Sequence, residues 1–283
     1  MERIALEIKV YSNKRCNIST HYNLGKMERW VGRVAIVTGA SAGIGAAIAK
    51  ALAQNGMRVV GVARREERIQ ELADALKKEN AKGELFPFKG DITIEEDVKR
   101  VVQWTRDTLG GADVLVNNAG RAVLTKLSEV SIEDMNKVFG LNVFALTQLT
   151  GCVIQDMKSR GVDDGHIFHI NSTAGHSVLD IQGMDIYITS KHAVTVLTEL
   201  QRRELRDSGT KIRITSISPG LVRTEIMVAS GLCEENAAKV YSMSPCLESE
   251  DVANGLLYVL TTPPHVQIHE LKMQPTGDPY NYN

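Results

Sequence analysis

The stretch VAIVTGASAGIG at residues 34–45 decides the fold, because a short apolar run leads directly into closely spaced glycines. Glycines let backbone amides approach a diphosphate, and the N-terminus of a following helix adds a partial positive charge. The spacing is G-x-x-x-G-x-G, which differs from the commoner dinucleotide pattern G-x-G-x-x-G. A glycine pattern alone is weak evidence. Its position between a predicted strand and a predicted helix, in the first βα unit, favours a dinucleotide-binding loop.

Short β-branched runs alternate with longer helical patterns along the rest of the chain. Runs such as VAIV, VLVN and HIFHI are apolar without alternation, as expected for strands covered on both faces. Right-handed crossovers place the connecting helices on the two faces. We therefore predict an α/β fold with a single doubly wound, Rossmann-type parallel sheet. The predicted strands are Val34–Thr38, Arg58–Ala63, Glu84–Lys89, Val114–Asn117, His166–Asn171, Lys211–Ser218 and Val266–Lys272. The predicted helices are Gly43–Asn55, Arg65–Asn80, Ile94–Thr108, Ser131–Lys158, Tyr187–Asp207 and Ser249–Leu260.

Regular patterning begins near Met27, and residues 1–26 differ in character from the rest of the chain. We predict that residues 1–26 form a poorly ordered extension and that residues 27–283 form one domain. An extra strand and arm is the alternative for the extension. Within the domain, residues 221–248 show mixed helical character and no clear strand, and long insertions of this kind are usually lids or binding loops.

Composition narrows the choice of partners and compartment. The formal net charge of −1 argues weakly against a nucleic-acid or membrane-surface partner, since both need a basic excess. The four cysteines lie far apart without a C-x-x-C pair, so we expect reduced thiols and no metal site. No uninterrupted apolar run reaches the roughly 18 residues of a membrane span. The N-terminal segment also lacks the apolar core of a signal peptide. These features predict a cytoplasmic protein without a membrane span.

Two arginines follow the second predicted strand, at Arg64 and Arg65. NAD-binding folds often carry an acidic residue at this point to hold the ribose hydroxyls. The arginines could instead bind a 2′-phosphate through forked, charge-assisted hydrogen bonds. They favour NADP(H) over NAD(H), although a solvated helix start is the alternative. Position 42 is alanine, so the glycine loop adds no second basic group.

The segment YITSK places Tyr187 and Lys191 four residues apart on a predicted helix, where they share a face. A neighbouring ammonium lowers a tyrosine pKa, and such a tyrosine can exchange a proton with a substrate oxygen. Y-x-x-x-K alone is common. Ser172 follows a predicted strand at the end where parallel sheets bind ligands. A helix cap or turn is the alternative for Ser172, and a buried amide bonding the backbone is the alternative for Asn142.

Together these segments resemble the short-chain dehydrogenase/reductase family from about Met27 to the C-terminus. Thr38–Gly45 is similar to the family's T-G-x-x-x-G-x-G loop, and residues 117–120 are similar to its N-N-A-G motif. Its catalytic tetrad is matched by Asn142, Ser172, Tyr187 and Lys191, and its P-G-x-x-x-T segment by residues 219–224. The phrases MERW, INSTAGH and VQIHELKMQPTG further resemble the insect farnesol dehydrogenase-like group, which includes the dehydrogenase/reductase member-eleven proteins.

The resemblance implies a role for each matched residue. Tyr187 would act as general acid in reduction and as general base in oxidation, and Ser172 would orient the substrate oxygen. Lys191 would lower the Tyr187 pKa and bind the nicotinamide ribose, while Asn142 would hold a water that links Lys191 to solvent. Hydride would pass directly between nicotinamide and substrate, so no metal is needed. The implied cofactor-binding residues are Gly39, Ser41, Ala42, Gly43, Ile44, Gly45, Ala46, Arg64, Arg65, Asp91, Ile92, Asn118, Ala119, Gly120, Tyr187, Lys191, Pro219, Gly220, Val222, Arg223 and Thr224.

The predicted substrate loop, Leu221–Glu248, is rich in apolar and flexible side chains that suit an irregular apolar ligand. With the resemblance, it implies a hydrophobic alcohol or carbonyl substrate: a farnesol-like isoprenoid, a retinoid, a steroid or an aliphatic ketone. The alternative is that these residues only pack the loop against the domain. The residues concerned are Ile226, Met227, Val228, Leu232, Val240, Tyr241 and Met243.

The sequence is compatible with three classes of function. The first, an NADP(H)-dependent alcohol dehydrogenase or carbonyl reductase, is favoured because all four tetrad residues are present. The second is a catalytically silent, cofactor-binding regulatory protein. The third is a nucleotide-sugar epimerase or dehydratase, whose glycine loop is usually G-x-x-G-x-x-G. The resemblance also implies a homodimer or homotetramer assembled through the predicted helices Ser131–Lys158 and Tyr187–Asp207.

Overall fold

Seven strands form one parallel sheet within residues 27–278, the part of the chain that the computed structural model describes. Their order across the sheet is β3-β2-β1-β4-β5-β6-β7. The strands are β1 Val34–Thr38, β2 Arg58–Ala63, β3 Glu84–Lys89, β4 Val114–Asn117, β5 His166–Ile170, β6 Arg213–Pro219 and β7 Glu270–Met273. The helices are α1 Gly43–Gln54, α2 Glu66–Lys78, α3 Glu95–Leu109, α4 Ile132–Phe139, α5 Leu146–Ser159, α6 Asp185–Asp207, α7 Ile226–Ala229, α8 Glu234–Met243 and α9 Ser249–Thr261. The predicted Rossmann-type sheet is confirmed. The predicted extension, residues 1–26, lies outside the described residues.

Strand β1 shows why the sheet is covered on both faces. Its side chains alternate between two apolar clusters, with Ala35 and Val37 on one side and Val34 and Ile36 on the other. The first cluster includes side chains of α1 and α9, and the second includes side chains of α3 and α5. Alternating apolar residues that are buried on both faces explain the continuous apolar runs in the sequence.

The strand order reverses between β1 and β4, which are neighbours in the sheet but distant in the chain. In open α/β sheets the ligand crevice opens at such a reversal, beyond the carboxyl ends of the strands. The glycine loop follows β1, and the N-N-A-G segment follows β4. The topology therefore brings these two motifs to the same edge of the sheet.

Two elements differ from the sequence prediction by more than a shift of one or two residues at an end. The last strand begins at Glu270 and not at Val266, because side chains of neighbouring segments occupy backbone groups of residues 266–268. Arg213 donates to the Val266 carbonyl and Thr215 donates to the Ile268 carbonyl. The helix predicted over Ser131–Lys158 is interrupted by a π-helical turn, Gly140–Ala145. Such turns insert an extra residue into a helix and often lie at functional sites.

The helical segment Ile132–Ser159, which includes the π-helical turn, is long and apolar enough to cross a membrane, by length and composition. Its most apolar window has a mean hydropathy of 1.4. A count of uninterrupted apolar residues does not detect it, because polar side chains break every such run in the segment. Core helices of soluble proteins pass the same test. In this fold α5 packs on α3 and on β4.

Candidate active site

The glycine loop provides a close-fitting backbone cradle at the start of α1. Gly43 has a φ of 53°, a conformation that residues with side chains rarely adopt. A Cβ atom at Gly45 would lie 2.3 Å from the Gly39 carbonyl oxygen. The N-cap residue of α1, Ala42, makes no side-chain capping hydrogen bond, and the first turn contains no acidic residue. Since these backbone amides carry no side-chain cap, the loop fits the diphosphate of a dinucleotide.

Gly45→Ala is expected to weaken cofactor binding by tenfold or more and to lower the melting temperature by several degrees. Two backbone segments would have to separate to admit the methyl group, at a cost of about 1–3 kcal/mol. Gly151→Ala in α5 is the matched control, because a Cβ atom there meets no atom within 4 Å. Calorimetric titration with the cofactor and thermal unfolding measure both effects. Unchanged binding in Gly45→Ala would contradict the role of the loop.

Thr38 joins the glycine loop to the N-N-A-G segment. Its hydroxyl accepts hydrogen bonds from the backbone amides of Asn118 and Ala119, both at 3.0 Å. The side chain of Asn118 donates in return to the Thr38 carbonyl at 2.9 Å. Asn118 therefore holds two loops of the cavity together. Sequence analysis did not single out the hydroxyl of Thr38 for this role.

The two predicted phosphate-binding arginines lie in different surroundings. The Arg64 side chain is 77% exposed and lies 3.9 Å from the Asp91 carboxylate. Arg65 pairs with Glu225 at 3.0 Å and approaches the Ser41 hydroxyl at 3.5 Å. A third arginine, Arg68, pairs with the same carboxylate at 2.7 Å. Arg68 was not among the residues predicted from the sequence, although a residue three positions after Arg65 on a helix shares its face.

Tyr187, Ser172 and Lys191 form a polar centre that lines the cavity. Ser172 caps the short helix Thr173–Gly175 by accepting from the Ala174 amide at 3.1 Å, and its side chain also bonds Tyr187. Lys191 donates to the Ile170 carbonyl at 2.8 Å, and its Nζ atom lies 5.6 Å from the centre of the Tyr187 ring. The structure therefore shows the capping contact of Ser172, and its substrate-orienting role stays a prediction.

Burial dominates the electrostatics of this centre. It raises the pKa of Tyr187, and the hydrogen bond with Ser172 opposes the rise by favouring the phenolate. Burial also lowers the pKa of Lys191 from 10.5 to about 8. In this structure burial of the phenol outweighs the hydrogen bond with Ser172, so the net shift of the Tyr187 pKa is upward. The role of Lys191 in lowering that pKa stays a prediction.

Asn142 lies in the π-helical turn and is 1% exposed. Its side chain accepts from the Arg121 amide and donates to the Arg121 carbonyl, both at 2.9 Å. It also donates to the Ser190 hydroxyl at 2.9 Å. These are the contacts of a buried amide that bonds the backbone. Asn142 therefore ties the segment after β4 to α6, and the water-holding role stays a prediction.

A buried polar chain lies behind Lys191. The Asn117 amide donates to Thr150 at 2.9 Å, Thr150 lies 3.4 Å from His169, and His169 lies 2.9 Å from Thr198. Burial, followed by the charge of Lys191, lowers the His169 pKa to about 3. His169 is consequently neutral at physiological pH and adds no second positive charge beneath the lysine.

One cavity of about 1270 Å³ is lined by Arg64 and Arg65, the glycine loop, the polar centre and the substrate loop; Arg68 lies outside its lining. Most of the predicted site residues line it. Gly45, Ala46, Arg223 and Asn142 do not. Gly45 packs against the Gly39 carbonyl, and Arg223 pairs with Glu248 at 3.1 Å. The Arg223 side chain therefore braces the base of the loop, and its predicted contact with the cofactor stays a prediction.

The substrate loop contains α7 and α8, and its ends are joined by a bridge between Val222 and Leu247. Tyr241 is buried and donates to the Thr224 carbonyl, so it packs the loop. Val228 and Met243 are exposed. Four of the seven predicted apolar residues line the cavity: Ile226, Met227, Leu232 and Val240. Tyr241 therefore packs the loop against the domain, whereas contact between these four side chains and a substrate stays a prediction.

A Rossmann-type sheet that places a glycine loop and a Tyr-Ser-Lys centre in one cavity defines a nicotinamide-dependent oxidoreductase. Residues 33–233 match the family described as short chain dehydrogenase. The chain belongs to the short-chain dehydrogenase family. It is 49% identical over 255 residues to a farnesol dehydrogenase of Aedes aegypti, covering 90% of this chain and 100% of that protein. It is 45% identical over 251 residues to human dehydrogenase/reductase SDR family member 11, covering 88% and 96%.

Solved structures show the same fold. An alcohol dehydrogenase from Thermococcus sibiricus complexed with 5-hydroxy-NADP matches with a TM-score of 0.74 and 26% identity, covering 86% of this chain and 97% of that chain. A serine dehydrogenase complexed with NADP⁺ matches with a TM-score of 0.76 and 33% identity, covering 85% and 94%. The chain is an NAD(P)-dependent oxidoreductase that acts on CH–OH groups.

Proposed function

We propose that the protein uses NADP(H) to interconvert a hydrophobic alcohol, such as a farnesol-like isoprenoid, and its aldehyde or ketone. The observation that carries this proposal is one continuous cavity that is lined by Arg64 and Arg65, by apolar side chains of the substrate loop and by the Tyr-Ser-Lys centre. The 49% identity to a farnesol dehydrogenase supports an isoprenoid within this class.

The cofactor preference rests on Arg65 and on its neighbour Arg68. Both guanidinium groups are about half exposed and already bind a carboxylate, so they are placed to bind an anion. Forked binding of a phosphate uses the same donors. Two related structures are complexes with NADP⁺ or an NADP derivative, which agrees with this assignment.

The chemistry assigned to the chain is acid–base catalysis and positioning. The bound nicotinamide supplies a hydride acceptor or donor for the substrate carbon. Tyr187 takes the hydroxyl proton of the alcohol in oxidation and returns it to the carbonyl oxygen in reduction. Ser172 orients that oxygen and favours the phenolate of Tyr187, while Lys191 binds the ribose.

A chain-length series tests the substrate class. Oxidation of primary alcohols with five, ten and fifteen carbons should show kcat/KM rising at each step, because each buried methylene contributes about 0.8 kcal/mol. Met227→Ser should reduce the slope of this series, whereas Met243→Ser should not, since Met243 is 75% exposed. Equal rates for all three alcohols would contradict a hydrophobic substrate.

Neutral replacements of the arginines test the cofactor assignment. Arg65→Gln is expected to weaken NADP⁺ binding by about tenfold or more and to change NAD⁺ binding by less than twofold, because hydrogen bonds to charged groups are worth about 1.5–3 kcal/mol. Arg64→Gln should have a smaller effect, since the Arg64 side chain is 77% exposed. Equal losses of both cofactors, measured by equilibrium titration, would refute the phosphate role of Arg65.

The family resemblance also supports a homodimer or homotetramer. Phe144 in the π-helical turn and Val196 and Leu200 on α6 are 62%, 59% and 53% exposed. Apolar side chains exposed together on neighbouring helices are common at subunit interfaces. We propose that these helices join subunits, and light scattering of the purified protein measures the assembly.

A further inference from the structure

Glu225 connects the substrate loop to the cofactor end of the cavity. It follows Thr224 and is the N-cap residue of α7. Its carboxylate binds Arg65 at 3.0 Å and Arg68 at 2.7 Å, and both arginines belong to the start of α2. Arg65 and Glu225 both line the cavity. The bridge therefore joins the β2–α2 side of the cavity to the β6–α7 side.

The two ends of the loop are joined to each other, and its middle contacts the segment after β4 through the Leu124 amide and the Ser230 carbonyl at 3.4 Å. The Arg223 amide donates to the Leu247 carbonyl at 2.9 Å, and the Leu247 amide donates to the Leu221 carbonyl at 2.8 Å. These contacts close the loop without reaching α2. The pairs made by Glu225 are consequently a distinct connection between the loop and the arginines.

The Glu225 carboxylate and a phosphate are chemically similar partners for these arginines. The hydrogen bond from Arg68 holds the pKa of the Glu225 carboxyl below its usual range, so the group is an anion at neutral pH. A phosphate monoester carries a charge of about −1.5 to −2 and binds guanidinium groups through the same forked geometry. Two anions at the same donors repel each other. A ribose hydroxyl, in contrast, carries no charge and does not need these donors.

We propose that Glu225 competes with the 2′-phosphate of NADP(H) for Arg65 and Arg68 and thereby sets the preference between the two nicotinamide cofactors. This inference rests on the proposed function, because it takes the arginines as the phosphate site. NADP(H) displaces the carboxylate and releases the start of α7, whereas NAD(H) leaves both ion pairs in place. The position of the substrate loop therefore depends on which cofactor is bound.

Equilibrium binding of NADPH and NADH, followed by nicotinamide fluorescence, tests the competition without turnover. Glu225→Gln keeps the shape of the side chain and removes its charge. It is expected to tighten NADPH binding about three- to tenfold, because the phosphate no longer has to displace two exposed ion pairs. NADH binding should change by less than twofold. Glu67→Gln is the matched control, because Glu67 is exposed beside Arg68 on α2 and its replacement makes the same change in net charge.

The outcomes separate this inference from the proposed function. If Glu225→Gln weakens both cofactors, the bridge is a clasp over the cofactor, and the competition is overturned. Tightening of equal size in Glu67→Gln would overturn it as well, since net charge alone would explain the effect.

In an Arg65→Gln/Arg68→Gln background, Glu225→Gln should have no effect on NADPH binding. If that double variant binds NADPH as tightly as the native chain does, the proposed NADP(H) site itself fails. If the double variant loses NADPH selectively while Glu225→Gln changes nothing, only the role of Glu225 fails.

Discussion

Tyr187→Phe is expected to lower kcat by about three orders of magnitude, within the range of 10²–10⁴ that a positioned acid or base contributes. The hydroxyl removed is the one that bonds Ser172 and faces the cavity beside Lys191. The phenyl ring keeps the packing of the side chain, so NADPH affinity and melting temperature should stay close to those of the native chain. Steady-state kinetics, cofactor titration and thermal unfolding measure the three quantities.

Tyr258→Phe is the matched control for this result. Tyr258 lies on α9, is 49% exposed and does not line the cavity, so the same loss of a hydroxyl should leave kcat unchanged. If Tyr187→Phe retained more than a tenth of the native kcat, Tyr187 would not be the acid–base group. A large loss of cofactor affinity in that variant would indicate a binding defect and would also contradict the assignment.

Lys191→Met is expected to abolish most activity and at the same time to stabilise the fold at neutral pH. The buried ammonium has a pKa lowered from 10.5 to about 8, and this difference corresponds to about 3 kcal/mol of unfavourable burial. Loss of the hydrogen bond to the Ile170 carbonyl costs about 1 kcal/mol. The net gain is about 2 kcal/mol, or a melting temperature higher by roughly 5 °C for a chain of this size. Activity should fall because the variant removes the cation beside Tyr187.

The pH dependence of this gain has a defined sign. A lysine with a depressed pKa in the folded state destabilises the protein fully below that pKa, and the penalty disappears as pH rises towards the unfolded value. The advantage of Lys191→Met should therefore be largest at pH 7 and should shrink as pH increases above 8. Lys50→Met on α1 is the control, since Lys50 is about half exposed. A variant that is less stable than the native chain at pH 7 would show that burial of Lys191 has no such cost.

The sequence alone was sufficient for the central part of the fold. The predicted bounds of β1, β2, β3 and β4 agree with the structure, because glycines, asparagines and charged residues separate their strongly apolar runs. The last strand was predicted too long, because side chains bind backbone groups that a regular strand would pair. The interruption at Gly140–Ala145 gave no local signal, since a π-helical turn preserves the overall apolar character of the helix.

Site residues that are close together in the sequence were predicted, whereas contacts between distant residues were not. Tyr187 and Lys191 are neighbours on one helix, and the glycine loop is continuous, so local patterns were sufficient to find them. Glu225 and Arg65 are 160 positions apart, and their contact depends on where the loop folds back. The upward shift of the Tyr187 pKa could not be predicted from the sequence, because the burial that causes it is a property of the packed structure.

The most direct measurement is a paired oxidation of farnesol with NADP⁺ or with NAD⁺, followed at the absorbance of the reduced nicotinamide. The account predicts rapid reduction of NADP⁺, much slower reduction of NAD⁺ and formation of the aldehyde in equal amount to the reduced cofactor. An epimerase or a dehydratase would give no net reduction, and a silent binding protein would give no product. Equal rates with the two cofactors, or no reduction of NADP⁺ by farnesol or by other long-chain alcohols, would contradict the proposed function.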